Sequence, residues 1–131
     1  MRLRALLRPA IAGLALAVAA ACDSATDPLA ASNAAGTYVL ESVTGRGPTS
    51  GTFVLRPDGT AERRARYAGA PNEELFLGSF EIDAPNIVFN LHPQPPASYV
   101  WTLHGELTGN RFSIHYPDPA DGPDIVETFR R

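Results

Sequence analysis

The sequence contains no lysine and only one cysteine among its 131 residues. Without lysine the chain has no side-chain amine for a Schiff base, and a single cysteine excludes an internal disulfide and a zinc site with two or more cysteines. Three of the eleven arginines lie in the first eight residues, so eight arginines face fourteen acidic side chains in the rest of the chain. Such an acidic body is a poor partner for nucleic acid, whose phosphates require a basic surface. The length suits a single domain.

The N-terminal segment has the composition of a secretory signal peptide. Residues 1–9 contain three arginines, residues 10–21 carry no polar side chain, and three alanines precede Cys22. The apolar run is shorter than the roughly 20 residues that a helix needs to cross a bilayer. We therefore expect residues 1–21 to be a signal peptide and the protein to be exported.

The residues Ala19-Ala20-Ala21-Cys22 resemble the bacterial lipobox, whose cysteine becomes the lipidated first residue of the mature chain. The resemblance implies an envelope lipoprotein on the periplasmic or outer-membrane face, anchored in the membrane through acyl chains such as palmitate on Cys22. The alternative is an ordinary cleavable signal that leaves a free thiol. Residues 22–35 are then expected to hold the lipidated cysteine and a flexible tether, because they are rich in Ala, Ser, Asp and Asn.

From Gly36 onward apolar and polar residues alternate, which is the period of a β-strand and not of a helix. The pattern predicts about eight short strands, with turns at Pro57-Asp58-Gly59 and around Gly109-Asn110. Residues 92–96 are expected to interrupt the strands, because their three prolines cannot donate to a sheet ladder. Residues 36–131 are therefore predicted to form one all-β domain, which is an antiparallel up-and-down barrel or alternatively a sandwich. We expect the protein to be a monomer.

Two features at the ends of this domain resemble the lipocalins and related calycins. Gly36-Thr37-Tyr38 corresponds to the Gly-x-Trp signature of their first strand, and Arg130 or Arg131 to the arginine that packs over that aromatic ring. We take Arg130 as the structural arginine. The phrases Leu55-Arg56-Pro57-Asp58-Gly59-Thr60 and Leu107-Thr108-Gly109-Asn110 are similar to those of small bacterial lipocalin-like lipoproteins.

The resemblance implies a binding module that holds a small apolar or amphipathic ligand at the mouth of its barrel. The other interpretation is a protein–protein interaction or inhibitor module of the cell envelope. Its barrel would be packed shut, and loops such as residues 92–97 would make the contacts.

The hairpin around Gly109-Asn110 contains the most pointed candidate for a metal site. Pairing Leu107 with Phe112 places His104 opposite His115, with Cβ atoms about 5 Å apart, and Glu106 beside them. Two imidazoles and a carboxylate can bind zinc, copper or iron. We favour the alternative, a polar strand face that happens to carry two histidines, and expect no cofactor.

A basic cluster follows the first predicted hairpin turn. On a strand, Arg64 and Arg66 share one face and could bind an anionic head group, whereas Arg63 points to the other face. The alternative, which we favour, is a solvated strand that uses charge to resist pairing with other sheets.

Catalytic patterns are missing from the sequence. It has no Gly-x-Ser-x-Gly elbow, and the single cysteine is assigned to the N-terminus, so we expect no enzyme. Asp118, Asp121 and Asp124 are interpreted as turn formers and not as calcium ligands. Tyr99 and Trp101 are interpreted as core residues and not as a ligand platform.

Overall fold

A computed structural model of the chain describes residues 27–95 and 98–131, so the predicted signal peptide and Cys22 lie outside the described residues. One short helix precedes eight strands: α1 (Pro28–Ala34), β1 (Gly36–Thr44), β2 (Ser50–Leu55), β3 (Thr60–Arg66), β4 (Glu74–Asp83), β5 (Asn86–Gln94), β6 (Trp101–Thr108), β7 (Arg111–Tyr116) and β8 (Ile125–Arg130). Each strand pairs antiparallel with the next, and β8 pairs with β1. The sheet closes into an up-and-down barrel, which confirms the predicted fold class. In the described part of the chain, no helix has the length and apolarity to cross a membrane.

Alternation along the strands decides which side chains fill the barrel. In β5, for example, Ile87, Phe89 and Leu91 are buried, whereas the residues between them are more exposed. An eight-stranded barrel is just wide enough for side chains to fill it. Near the start of β1 the filling is aromatic, and its buried rings are those of Tyr38, Phe53, Phe80, Phe89, Phe112 and Phe129. Neighbouring rings pack closely, as in the edge-to-face pair of Phe53 and Phe129 with centroids 4.9 Å apart. Packed aromatic side chains therefore fill this half of the barrel.

Residues 28–34 form a helix where the sequence predicts a flexible tether. The Asp27 side chain accepts a hydrogen bond from the Leu29 amide at 2.9 Å, and Pro28 occupies the first turn, where its missing N–H is not needed. A helix of seven residues is not stable alone. Ala31 and Ala34 are buried against the barrel, and this burial orders the segment.

Arg131, and not Arg130, is the arginine that packs over Tyr38. Its guanidinium carbon lies 5.6 Å from the centre of the Tyr38 ring, and its Nη1 donates to the carbonyls of Asn33 and Ala35, each at 2.8 Å. The choice of Arg130 was wrong because alternation along β8 turns that side chain outward, where it is 60% exposed. The chain leaves β8 after Arg130, so the next side chain is free to cross the barrel end.

Gly36 makes room for that arginine. Its φ of 150° is rare for residues with a side chain, and a Cβ at this position would lie 3.2 Å from the Arg131 Cδ. Two residues on, the Tyr38 hydroxyl donates to the Ala34 carbonyl at 2.7 Å and ties the helix to β1. These contacts close one end of the barrel, which we call the closed end.

β5 runs on through Pro93, although the prolines were expected to interrupt the strand. Pro93 pairs with Phe76 of β4, whereas the pairing of β5 with β6 stops at Leu91 and Trp101. Beyond Leu91 the strand therefore has a partner on one side only, and such an edge tolerates a residue without an N–H.

We predict that Arg131→Ala lowers the free energy of unfolding by about 1–2 kcal/mol, because it removes several hydrogen bonds and a cation–π contact at the closed end. Arg130→Ala is the matched control and should change it by less than about 0.5 kcal/mol. Urea unfolding of both variants measures the difference. Equal effects would contradict the assignment of Arg131 to the closed end.

Candidate functional site

The end of the barrel opposite α1 is hollow. A cavity of about 390 Å³ opens there, which we call the mouth cavity, and its volume lies in the usual range for small-molecule sites. Five aromatic side chains line it: Tyr67, Phe76, Tyr99, Trp101 and Tyr116. They come from the strand ends and loops that meet at this end of the barrel.

Three of these rings pack against one another. The ring centroids of Trp101 and Tyr116 are 5.1 Å apart in an edge-to-face arrangement, and those of Phe76 and Trp101 are 5.4 Å apart. Each of the three stands at a strand end, Phe76 near the start of β4, Trp101 at the start of β6 and Tyr116 at the end of β7. The closed sheet therefore fixes the positions of these three rings.

A fully buried ion pair lies inside the barrel beside these rings. Arg63 of β3 donates from Nη1 to Glu127 Oε1 at 2.8 Å and from Nη2 to Glu127 Oε2 at 3.1 Å. Both side chains have 0% exposure. Burial opposes the charge on Arg63, but the charge and hydrogen bonds of Glu127 outweigh it and raise the pKa of the guanidinium, so Arg63 stays charged.

Two tyrosines of the cavity wall complete this buried network. The Tyr116 hydroxyl donates to Glu127 Oε2 at 2.6 Å, and Arg63 Nη2 donates to the Tyr67 hydroxyl at 3.3 Å. Burial, and then the neighbouring Glu127 carboxylate, raise the pKa of Tyr116 far above its ordinary value. Tyr116 therefore remains a neutral hydrogen-bond donor.

Aromatic rings surround the Arg63 guanidinium. Its central carbon lies 5.4 Å from the ring centre of Phe53, 5.9 Å from that of Phe76 and 5.5 Å from that of Trp101. Its Nε has no hydrogen-bond partner among the described residues. Two rings of the cavity wall are thus already in cation–π contact with a buried cation.

Three charged residues also line the mouth cavity: Arg46, Glu74 and Asp118. Arg46 and Glu74 are exposed, whereas Asp118 is only 7% exposed. Asp118 Oδ1 accepts a hydrogen bond from the Ala120 amide at 2.9 Å, and Oδ2 is buried without a hydrogen-bond partner in the described part of the chain. With two carboxylates and one guanidinium, the lining carries a net charge of −1.

Two further hollows have fewer buried side chains in their lining. One, of about 430 Å³, shares Glu74, Phe76 and Tyr99 with the mouth cavity and continues along the exposed loop of residues 70–73. The other, of about 410 Å³, lies at the closed end, between α1, the turn that follows β2 and residues 79–81 of β4. Neither is bordered by the buried ion pair and its tyrosines.

The predicted pairing of the two histidines is confirmed. His104 of β6 lies directly opposite His115 of β7, and both are exposed on the outer surface of the barrel. Among the described residues, no three side chains of His, Cys, Asp or Glu group closely enough to hold a metal ion. The structure therefore does not bring Glu106 to the imidazoles as a third ligand, and metal binding remains a prediction.

Arg64 and Arg66 both lie exposed on the outside of the barrel, and Arg63 lies on the opposite face, as predicted, which is the barrel interior. Arg64 is paired through Nε with Glu62 at 2.7 Å and through Nη1 with Glu73 at 3.3 Å. An anion would have to compete with these two carboxylates. Anion binding here also remains a prediction.

Sequence reasoning missed most of this site. The sequence predicts Tyr99 in the core, but this residue is 58% exposed and lines the mouth cavity. Trp101 does pack against the core, half-buried, and it also lines the cavity. Glu127 was not recognised as the partner of Arg63, and Asp118 was interpreted only as a turn former. No family model, no curated protein and no solved structure matches this chain, so its function has to be inferred from the barrel and its residues.

We predict that Glu127→Gln lowers the free energy of unfolding by about 3–5 kcal/mol, because it leaves the Arg63 charge buried without a counter-charge. Arg56→Gln, which breaks a half-exposed ion pair with Glu62, is the control and should cost less than about 1 kcal/mol. Urea unfolding followed by circular dichroism measures both.

The double variant Arg63→Met with Glu127→Leu keeps this test informative if the single variant does not fold. It should be more stable than Glu127→Gln, because replacing both charges removes the uncompensated one. If the double variant is no more stable than Glu127→Gln, the unpaired Arg63 charge is not the reason why that variant loses stability.

We also predict that the protein loses stability as the pH rises above about 10. In the unfolded chain Tyr116 releases its proton near its ordinary pKa of 10.0, whereas in the folded protein it retains the proton. The contribution of Tyr116 to the free energy of unfolding is therefore complete below pH 10 and falls by up to about 1.4 kcal/mol per pH unit above it. Urea unfolding between pH 9 and 11 should show a smaller slope for Tyr116→Phe, and an unchanged slope would count against the assignment.

Proposed function

We propose that this protein is a non-enzymatic binding module that takes a small apolar or amphipathic ligand into the mouth cavity. The observation that carries the proposal is a cavity of about 390 Å³ with five aromatic side chains on its wall, in a barrel whose other half is filled. Ligand sites are mostly apolar and aromatic, with a few placed polar groups, and the mouths of β-barrels are a common location for them.

We further propose that the protein is an envelope lipoprotein of lipocalin-like type. The closed eight-stranded barrel supports the fold part of this proposal. So does its closed end, where Gly36 and Tyr38 open β1 and Arg131 packs over the tyrosine ring, as in the motif that the sequence resembles. The proposed lipid anchor at Cys22 depends on the lipobox resemblance alone.

The proposed anchor has a consequence for the orientation of the barrel. Cys22 precedes Asp27 by five residues, a span of at most about 18 Å, and Asp27 caps the helix at the closed end. An anchored protein would therefore hold its closed end nearest the membrane. Its mouth would face the aqueous side, and the ligand would enter from there and not directly from the bilayer.

A second candidate function is a protein–protein interaction module of the cell envelope. The observation that favours it is the neighbouring pair Tyr99 and Val100, which are 58% and 50% exposed beside the mouth. Val100 does not line the mouth cavity. Val100→Asp would therefore weaken attachment of a protein partner while leaving the binding of a small ligand unchanged.

We predict that the mouth cavity binds the neutral apolar dye N-phenyl-1-naphthylamine, and that binding changes the fluorescence of Trp101, the only tryptophan in the chain. Tyr99→Ala should raise the Kd about three- to tenfold, because it removes an aromatic contact of about 1 kcal/mol. A fluorescence titration of the purified protein measures both effects.

Leu77→Ala is the matched control, since Leu77 is a 39% exposed apolar residue that does not line the mouth cavity. Its Kd for the dye should equal that of the unchanged protein. Binding that is absent, or that both substitutions weaken equally, would rule out the mouth cavity as the binding site.

A further inference from the structure

The mouth cavity combines aromatic rings with an excess of negative charge. We infer that its ligand is an amphipathic organic cation, a molecule with an ammonium group on a small apolar body. This inference rests on the proposed binding function of the cavity and specifies the chemical class of the ligand.

The rings supply the first reason. The face of an aromatic ring carries negative electrostatic potential and attracts ammonium and guanidinium groups, most strongly at tryptophan. Five aromatic side chains line the cavity, with Trp101 between Phe76 and Tyr116. Arg63 already lies 5.5 Å from the Trp101 ring centre and 5.9 Å from that of Phe76, so two of these rings are in cation–π contact with a buried cation inside the barrel.

The charges supply the second reason. Asp118 and Glu74 line the cavity, and neither is in an ion pair in the described part of the chain. The cationic side chain on the lining is Arg46, which is exposed at the rim. Asp118 is more than nine-tenths buried, so water screens its charge weakly, and an ammonium group in the cavity would gain from it.

An anionic head group would find little to bind. The buried cation nearest the cavity, Arg63, already has its two Nη atoms bonded to Glu127, so its charge is neutralised. Arg46 alone would have to offset the repulsion from Asp118 and Glu74. A fatty acid or another carboxylate is therefore disfavoured, and a neutral molecule would lack the charge–charge attraction that an ammonium group gains from the two carboxylates.

Three probes with the same six-carbon chain test this inference: hexylammonium, hexan-1-ol and hexanoate. Trp101 fluorescence and displacement of N-phenyl-1-naphthylamine give the Kd of each at pH 7. Hexylammonium should bind at least about fivefold more tightly than hexan-1-ol, and hexanoate most weakly. The affinity for hexylammonium should also fall as the salt concentration rises.

Three variants assign the preference to the cavity. Glu74→Gln and Asp118→Asn should each weaken the binding of hexylammonium about two- to fivefold and leave that of hexan-1-ol unchanged, because each removes one negative charge from the lining. Asn at position 118 retains the oxygen that accepts from the Ala120 amide. Glu81→Gln is the control, since Glu81 is on β4 near the closed end and should have no effect.

The outcomes separate this inference from the proposed function. If hexan-1-ol or hexanoate binds as tightly as hexylammonium, the cation preference is wrong, whereas ligand binding at the mouth stands. The same holds if Glu81→Gln weakens hexylammonium as much as Glu74→Gln does. If none of the probes and not even the neutral dye binds, the proposed binding function fails as well.

Discussion

The interior of this barrel is organised around one buried ion pair. Arg63 and Glu127 come from β3 and β8, are fully buried, and share two hydrogen bonds across the interior. Removing two charges from water is costly, and the cost is offset only when their hydrogen bonding is close to complete. Tyr67 and Tyr116 each add one hydrogen bond, so that among the groups of the pair Arg63 Nε is left without a partner in the described part of the chain. On one side of this network the barrel is filled with phenylalanines, and on the other it opens into the mouth cavity.

The strands of the barrel could be predicted because burial and sequence share the same period. A closed barrel buries every second residue of each strand, so the alternation in β5, β7 and β8 is visible in the sequence without knowledge of the strand partners. The register of β6 with β7 followed from the same reasoning. Two local elements could not be predicted from this alternation. The helix at residues 28–34 depends on burial against the barrel. The extension of β5 through Pro93 depends on where the pairing of β5 with β6 ends.

The site was harder to predict because its residues are distant in sequence. Arg63 and Glu127 are separated by 64 positions, and no local pattern pairs them. A partial signal did exist. Arg63 is in phase with the buried Ala61 and Ala65, and Glu127 with the buried Ile125 and Phe129. A charged residue in the inward phase of each of two strands, one flanked by alanines that leave space for a long side chain, predicts a buried pair. The cavity itself depends on loop positions that alternation does not determine.

The buried pair is better explained by the cavity than by stability. Apolar side chains of similar volume would stabilise a barrel at least as well as an ion pair does. Arg63 instead lies against the rings of Phe76 and Trp101, and Glu127 accepts the hydroxyl of Tyr116. Arg63 Nη2 also donates to the hydroxyl of Tyr67, so four of the five aromatic residues of the cavity wall contact the buried pair. A rigid cavity wall binds a ligand without the entropy cost of first being ordered. We therefore explain the two buried charges by the rigidity that they give to the mouth cavity.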